Sequence, residues 1–189
     1  MKLVILDRDG TINEDSSDYI KSEAEWIPIP GALEGIARLN HAGWQVVVAT
    51  NQSGLGRGLF DVSALNAMNT KMHKMLAKVG GRIEAIFYCP HAPDQACHCR
   101  KPLPGLFQQI SERYGVSLAS VPVVGDAPRD LQAGVAVGCQ PHLVLTGKAQ
   151  VLKARLERGE SLPAEFPAGT HAHASLMAFA DYWVAHHST

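Results

Sequence analysis

Residues 4–11 decide the fold of this chain, and they are Val4-Ile5-Leu6-Asp7-Arg8-Asp9-Gly10-Thr11. An apolar strand runs directly into two carboxylates that are two positions apart. Residues i and i+2 of an extended strand point to the same side, so Asp7 and Asp9 can face one small substrate. Carboxylates this close repel each other unless a cation or a shared proton relieves the repulsion. The pattern therefore predicts a metal ion, an acid/base pair, or both.

The composition is that of an ordinary globular protein. The 189 residues are 46% hydrophobic and 19% charged, and the formal net charge is −1. A chain of this length can bury most of its apolar surface, so we expect one domain over residues 1–189, present as a monomer. The balanced charge disfavours nucleic-acid partners, and the apolar runs are much shorter than a membrane span of about 20 residues. With no secretory leader visible, the chain is expected to be cytoplasmic and not to bind membranes.

Apolar strand-like runs alternate with helical patterns along most of the chain. The predicted strands are 3–6, 44–49, 83–88, 121–124 and 142–145, and the predicted helices are 31–42, 62–79, 105–114, 131–137 and 175–187. Residues 148–189 form a C-terminal extension in which 150–168 is expected to be a loop or partly helical. This alternation predicts an α/β fold with a doubly wound, mostly parallel sheet and helices on both faces.

Polar residues follow four of the predicted strands. They are Asp7, Thr50, Cys89 and Asp126. Ligands of open parallel sheets bind beyond the carboxyl ends of the strands. We therefore expect these residues to converge on one site, although they come from separate parts of the chain.

The residue types at this edge suit phosphoryl transfer. A carboxylate such as Asp7 can act as a nucleophile, and Asp9 is placed to protonate the leaving oxygen and later to activate water. Phosphoryl transfer otherwise needs positioning and positive charge around the phosphoryl oxygens. Thr50 offers a hydroxyl donor and Lys101 a cation, while Asp126 can complete a hard-oxygen site for Mg²⁺.

Residues 89–99 form a candidate zinc loop. Its four soft or borderline ligands, a full tetrahedral set, are Cys89, His91, Cys97 and Cys99. A complete set leaves no open position, so the Zn²⁺ is expected to be structural. His98 competes with His91 for one ligand place, and cysteines that hold no metal are the other possibility for this loop.

Four short motifs occur in the order found in haloacid dehalogenase-superfamily phosphatases, and the chain resembles that superfamily from residue 3 to about 147. The motifs are Asp7-Arg8-Asp9-Gly10-Thr11, Thr50-Asn51, Lys101-Pro102 and Gly125-Asp126-x-x-x-Asp130. The resemblance implies a Rossmann-like phosphatase fold with a minimal cap. The residues after the first two motifs, together with the Cys/His loop, are similar to one family within it, the D-glycero-D-manno-heptose-1,7-bisphosphate 7-phosphatases.

That family resemblance implies a role for each matching residue. Asp7 would be the nucleophile and Asp9 the acid/base. Phosphoryl or substrate contacts would come from Thr50, Asn51, Lys101, Arg100, Arg57 and Asn13. Mg²⁺ would be held by Asp7, the Asp9 backbone carbonyl and Asp126, with Asp130 in support. The implied reaction is hydrolysis of the 7-phosphate of a heptose bisphosphate through an aspartyl-phosphate, in nucleotide-heptose and lipopolysaccharide core biosynthesis.

One position departs from the family pattern, and three other functions compete. Members often carry Lys after the last motif's Asp, whereas this chain has Ala127, for which Arg129 is a candidate replacement. Histidinol-phosphate phosphatases share the first motif and a similar Cys/His loop. A phosphoacceptor receiver domain also combines acidic residues, Thr and Lys, but its acceptor Asp follows a later strand. A zinc-ribbon nucleic-acid module is disfavoured by the neutral charge.

Overall fold

A parallel sheet runs through residues 1–187, the part of the chain that the computed structural model describes. The strands are β1 (Leu3–Leu6), β2 (Gln45–Asn51), β3 (Ala85–Cys89), β4 (Pro122–Gly125), β5 (Gln140–Val144) and β6 (His171–His173). Their order is β3-β2-β1-β4-β5-β6, and every neighbouring pair is parallel. The strand order reverses next to β1, so the Asp7 turn lies at the switch point where ligands of such sheets bind.

Helices cover both faces of this sheet. They are α1 (Ala32–His41), α2 (Ser53–Gly56), α3 (Val62–Lys78), α4 (Gly105–Tyr114), α5 (Pro128–Val135), a 3-10 helix (Gly147–Leu152), α6 (Lys153–Glu157) and α7 (Leu176–His186). Alternate residues of β1 enter two separate cores: Val4 and Leu6 pack with α1, α3 and α7, and Leu3 and Ile5 pack with α4 and α5. The predicted doubly wound α/β fold is confirmed.

Residues 14–31 cross the carboxyl edge of the sheet as a short covering loop. The side chain of Trp26 anchors this loop because it is fully buried in the larger core. Lys71 of α3 holds the same loop by donating hydrogen bonds to the carbonyls of Glu23, at 2.9 Å, and Trp26, at 2.7 Å. Within the described chain no helix or strand lies between β1 and α1, so the expected minimal cap is no more than this loop.

Several predicted boundaries were wrong. β2 continues through Thr50 and Asn51 because both residues pair in register with β3. α5 begins at Pro128, three residues early, since proline is well suited to the first turn of a helix. β6 and α2 were not predicted, because His171–His173 lacks an apolar run and α2 is only one turn long. The 150–168 segment is partly helical, as expected.

Candidate active site

The carboxyl ends of the central strands open into a cavity of about 220 Å³. Its lining includes most of the predicted site residues, namely Asp7, Asp9, Thr50, Asn51, Arg100, Lys101 and Asp130. Asp126 lies beside them and is almost completely buried. Cys89, the fourth residue of the predicted convergence, points instead into the neighbouring Cys/His cluster.

Lys101 is the buried cation at the floor of this cavity. Its Nζ lies 2.8 Å from Asp7 Oδ1 and 2.7 Å from Asp130 Oδ1, and it donates a third hydrogen bond to the Ala49 carbonyl at 2.7 Å. Burial by itself lowers the pKa of Lys101, but Asp130 and Asp7 outweigh burial and the pKa is raised. Lys101 therefore stays charged between its two carboxylates.

Asp7 stands at the end of β1 with its carboxylate in this contact. Burial and the negative charge of Asp130 raise the pKa of Asp7 to about 6, and Lys101 opposes that rise. A carboxylate with this pKa is mainly ionised at neutral pH. Because ionised carboxylates are nucleophiles, Asp7 is in the form that nucleophilic attack requires.

Asp9 faces the same cavity but has a different environment. Its Oδ1 accepts hydrogen bonds from Arg8 Nε and Asn13 Nδ2, each at 2.9 Å, and its Oδ2 accepts one from Gln52 Nε2 at 3.1 Å. Burial alone would raise the pKa of Asp9, but the Arg8 guanidinium and these hydrogen bonds outweigh it and lower the pKa. Asp7 and Asp9 thus have pKa values pushed in opposite directions: burial and Asp130 raise that of Asp7, whereas the donors around Asp9 keep it ionised.

Three carboxylates form an acidic group beside Lys101. Asp7, Asp126 and Asp130 each offer an oxygen, and these oxygens lie within 4.8 Å of one another. Burial, with the charges of Asp130 and Asp7, raises the pKa of Asp126 well above its usual value. The donor set fits a hard divalent cation such as Mg²⁺, which prefers carboxylate oxygens.

Both carboxylate oxygens of Asp130 already have protein partners, so its role in this group is structural support. One of its oxygens pairs with Lys101 and the other accepts a hydrogen bond from the Ala127 N–H at 3.1 Å. Asp126 is enclosed by backbone: its Oδ2 accepts the Lys148 N–H at 2.8 Å, and a Cβ at Gly10 or Gly147 would come within 2.2 Å of the same oxygen. Both glycines also have positive φ, so side chains are excluded there twice over.

Two residues that were predicted to contact the substrate form hydrogen bonds within the protein instead. Asn51 clamps the backbone of Lys101, because its Nδ2 donates to the Lys101 carbonyl at 3.1 Å and its Oδ1 accepts the Lys101 N–H at 3.0 Å. Asn13 is fully buried beneath Asp9 and does not line the cavity. Thr50 keeps its hydroxyl near the cavity, where Gln52 donates to it at 3.0 Å.

Positive charge lines one wall of the cavity. The wall is formed by Arg100, Arg129 and Lys148. Arg100 Nη1 and Arg129 Nε are buried and have no hydrogen-bond partner within residues 1–187. Burial and the nearby Arg129 lower the pKa of Arg100. Guanidinium nitrogens that line a cavity without a protein acceptor suit an anion.

Arg57 stands outside this wall. Its guanidinium carbon lies 5.8 Å from the ring centroid of Tyr19, and only Tyr19 lines the cavity. Arg57 is therefore at the rim.

Sequence reasoning missed Gln52 and Lys148, although each follows a strand at the correct edge: Gln52 comes directly after β2, and Lys148 comes shortly after β5.

The Cys/His loop brings its four predicted ligands together. His91 Nδ1 lies 3.4 Å from Cys89 Sγ and from Cys99 Sγ, and Cys89 Sγ lies 3.8 Å from Cys97 Sγ. Bonds of ~2.3 Å to a tetrahedral Zn²⁺ place two sulfurs about 3.8 Å apart. His98 is not in this group. No cysteine of the described chain forms a disulfide, so the thiols are free to bind a metal.

Comparison with known proteins places the chain in one family. A family described as "HAD-hyrolase-like" matches residues 98–168. A D-glycero-beta-D-manno-heptose-1,7-bisphosphate 7-phosphatase from Bordetella bronchiseptica is 59% identical over 150 residues, which is 79% of this chain and 84% of that protein. A phosphatase of the same name from Neisseria meningitidis is 46% identical over 182 residues, 96% of this chain and 94% of the relative.

Solved structures agree with this placement. The crystal structure of D,D-heptose 1,7-bisphosphate phosphatase from B. bronchiseptica, complexed with magnesium and phosphate, has a TM-score of 0.91 at 52% identity, covering 98% of this chain and 99% of that one. The enzyme from Burkholderia thailandensis has a TM-score of 0.74 at 49% identity, with the same coverage of both chains. This chain therefore belongs to the D-glycero-beta-D-manno-heptose-1,7-bisphosphate 7-phosphatase family of HAD-like hydrolases.

Proposed function

We propose that this protein is a Mg²⁺-dependent phosphatase that hydrolyses the 7-phosphate of D-glycero-β-D-manno-heptose 1,7-bisphosphate. The names of the relatives support the substrate, its β anomer and the reaction. The magnesium and phosphate in the B. bronchiseptica structure support the metal. The observation that carries the proposal is the ionised Asp7 at the cavity floor, held 2.8 Å from Lys101. The relatives favour this substrate over histidinol phosphate.

Asp7 acts as the nucleophile. One of its oxygens bonds to phosphorus while the bond between phosphorus and the sugar oxygen breaks, and Asp9 protonates that leaving oxygen. Water then bonds to phosphorus and gives its proton to Asp9, while the bond from phosphorus to Asp7 breaks and phosphate leaves. Mg²⁺ held by Asp7, Asp126 and the Asp9 carbonyl supplies positive charge that screens the carboxylate from the anionic phosphoryl group.

Asp9 must gain a proton before it can act as an acid. Arg8, Asn13 and Gln52 hold its pKa low before substrate binds. A doubly negative phosphoryl group that enters beside Asp9 opposes its ionised form and raises its pKa. Substrate binding thus favours the protonated form of Asp9 that the first step needs. Asn13 holds the Asp9 carboxylate in position.

Lys101 and Thr50 bind the phosphoryl oxygens. Lys101 supplies charge close to the nucleophile, and its position depends on Asn51, which binds the Lys101 backbone on both sides. The Thr50 hydroxyl lies beside Gln52, which also contacts Asp9. Gln52 therefore links the phosphoryl-binding residue to the acid/base residue.

The phosphate that is not hydrolysed binds the positive wall. The buried Arg100 and Arg129 nitrogens lack acceptors, and a phosphate supplies several acceptor oxygens. Lys148 adds a third cation, and its Nζ pairs with Asp15 on the covering loop. Arg129 and Lys148 together take the place of the lysine that the family often carries where this chain has Ala127.

The Cys/His loop binds a structural Zn²⁺ through Cys89, His91, Cys97 and Cys99. Three sulfurs and one imidazole are a complete ligand set, and structural zinc contributes on the order of 10 kcal/mol to folding. The loop leads directly into Arg100 and Lys101. Zinc binding therefore fixes the backbone from which Arg100 and Lys101 reach the substrate.

The reaction is tested by comparing phosphate release from three substrates in Mg²⁺: the heptose bisphosphate, histidinol phosphate and an aryl phosphate. We expect a clear preference for the bisphosphate in kcat/KM. Asp7→Asn should reduce its kcat by at least ~10³-fold, because an amide cannot form the phosphoenzyme. Asp181→Asn, at an exposed position of α7, is the matched control and should leave kcat unchanged. A preference for histidinol phosphate, or an active Asp7→Asn protein, would contradict the proposal.

Removing Arg129 tests the second phosphate site. Arg129→Ala should lower kcat/KM for the bisphosphate by ~10–100-fold, mostly through KM, because one charge-assisted contact is lost. Hydrolysis of the aryl phosphate, which has no second phosphate, should change little. Arg113→Ala removes an exposed arginine of α4 and serves as the control. Equal losses on both substrates would show that Arg129 does not bind the distal phosphate.

Substitution in the Cys/His loop tests the zinc site. Cys97→Ser should lower the zinc content by about one equivalent per chain and reduce both activity and Tm. For a chain of this size, losing even ~3 kcal/mol lowers Tm by about 6–12 °C. Cys139→Ala, which alters a buried cysteine outside the loop, should keep its zinc. Zinc-free wild-type protein purified without chelator would refute the site.

A further inference from the structure

Three histidines cluster on the last two strands, away from the catalytic cavity. His142 of β5 pairs in register with His171 of β6, and His173 lies two residues further along β6. Residues i and i+2 of a strand share a face, so the three rings project to the same side of the sheet. Each ring offers a nitrogen, and these nitrogens lie within 4.8 Å of one another. None of the three residues lines the catalytic cavity.

We propose that His142, His171 and His173 form a second transition-metal site, which binds a borderline divalent cation of the Zn²⁺ or Ni²⁺ type. Imidazole nitrogens suit such ions, whereas Mg²⁺ prefers oxygen ligands. Three imidazoles leave at least one coordination position for water. The site is separate from both the Asp7 centre and the Cys/His loop, with which it shares no residue.

The spacing of the ring nitrogens supports this assignment. His142 Nδ1 and His173 Nε2 lie 3.0 Å apart. Two nitrogens bound at 2.0–2.1 Å to a tetrahedral Zn²⁺ lie about 3.3 Å apart, so these two rings are nearly in position. A direct hydrogen bond between them would account for two rings but gives no role to the third, His171.

The surroundings suit a metal site that is closed on one side. α7 covers the cluster with aromatic rings: the Phe179 and Trp183 centroids lie 5.0 and 5.2 Å from that of His142, and Tyr182 lies 4.5 Å from His171. His142 and His173 are buried, and their 3.0 Å contact uses the N–H of one ring and the lone pair of the other, so a bound metal ion would replace this hydrogen bond. His171 is exposed and gives the ion a path of entry.

A metal at this position would fasten the edge of the sheet. Within residues 1–187, β6 is an edge strand of three residues whose one neighbour is β5. Short edge strands have few ladder hydrogen bonds to hold them. An ion shared between β5 and β6 would therefore stabilise the packing of the C-terminal part of the chain.

The test uses untagged full-length protein with its Cys/His loop loaded with zinc and Mg²⁺ in excess. Nickel is the probe because it is distinguishable from both metals. Calorimetry should show one additional Ni²⁺ equivalent, and nickel-edge X-ray absorption should show imidazole nitrogens without sulfur. His171→Ala, an exposed position, should weaken this Ni²⁺ binding by at least ~10-fold.

A control histidine makes the result specific. His73 of α3 is also exposed, and His73→Ala should bind Ni²⁺ as the wild type does. Ni²⁺ should raise the Tm of the wild type and of His73→Ala more than that of His171→Ala, because a ligand that binds only the folded state stabilises it. The proposal is overturned if no saturable Ni²⁺ equivalent appears, or if His171→Ala binds Ni²⁺ with unchanged affinity.

Discussion

The ammonium of Lys101, buried between Asp7 and Asp130, is the contact on which the site depends. Removing one partner of a buried ion pair costs roughly 3–5 kcal/mol, because the other charge remains unpaired. Lys101 belongs to a loop, and loops are usually more mobile than strands. The chain holds this loop in two ways, with the Asn51 side chain on the Lys101 backbone and the Cys/His group just before it. The Cys/His loop, which is far from β1 in the sequence, thus helps to position the cation that pairs with Asp7 at the end of β1.

The second constraint is the crowding of negative charge at the carboxyl edge. Asp7, Asp126 and Asp130 stand together, and Lys101 neutralises only part of their charge. Carboxylates crowded in this way favour a bound divalent cation. Gly10 and Gly147 let two backbone segments close around Asp126, which is almost completely buried. Burial and the charge of Asp130 raise the pKa of Asp7, whereas Arg8 and the neighbouring hydrogen-bond donors lower the pKa of Asp9.

The central strands and the catalytic group were predictable from the sequence because their signals are local. An apolar run followed by Asp-x-Asp identifies β1, and Gly125-Asp126 marks the end of β4 in the same way. β6 could not be predicted, since a three-residue strand of His171–His173 owes its pairing to β5 and not to its own residues. α5 starts at Pro128, where proline suits the first turn and Asp130 accepts the Ala127 N–H, whereas the apolar spacing used to place the helix begins only at Leu131.

The roles of contact residues depended on tertiary structure in the same way. Asn13 and Asn51 have the chemistry of substrate ligands, but the fold directs one to Asp9 and the other to the Lys101 backbone. Lys148 lies shortly after β5 but belongs to none of the sequence motifs, and the 3-10 helix that contains it carries it to the cavity. The cluster of His142, His171 and His173 likewise exists only once β5 and β6 pair.

The aspartyl-phosphate mechanism is tested by locating the phosphoryl group on the protein during turnover. Asp9→Asn protein, in which the second step lacks its base, should accumulate the intermediate when mixed with bisphosphate and Mg²⁺. After an acid quench and borohydride reduction, mass spectrometry should find the reduced residue at Asp7. Reduction at any other residue, or none at Asp7 while phosphate is still released, would contradict the account.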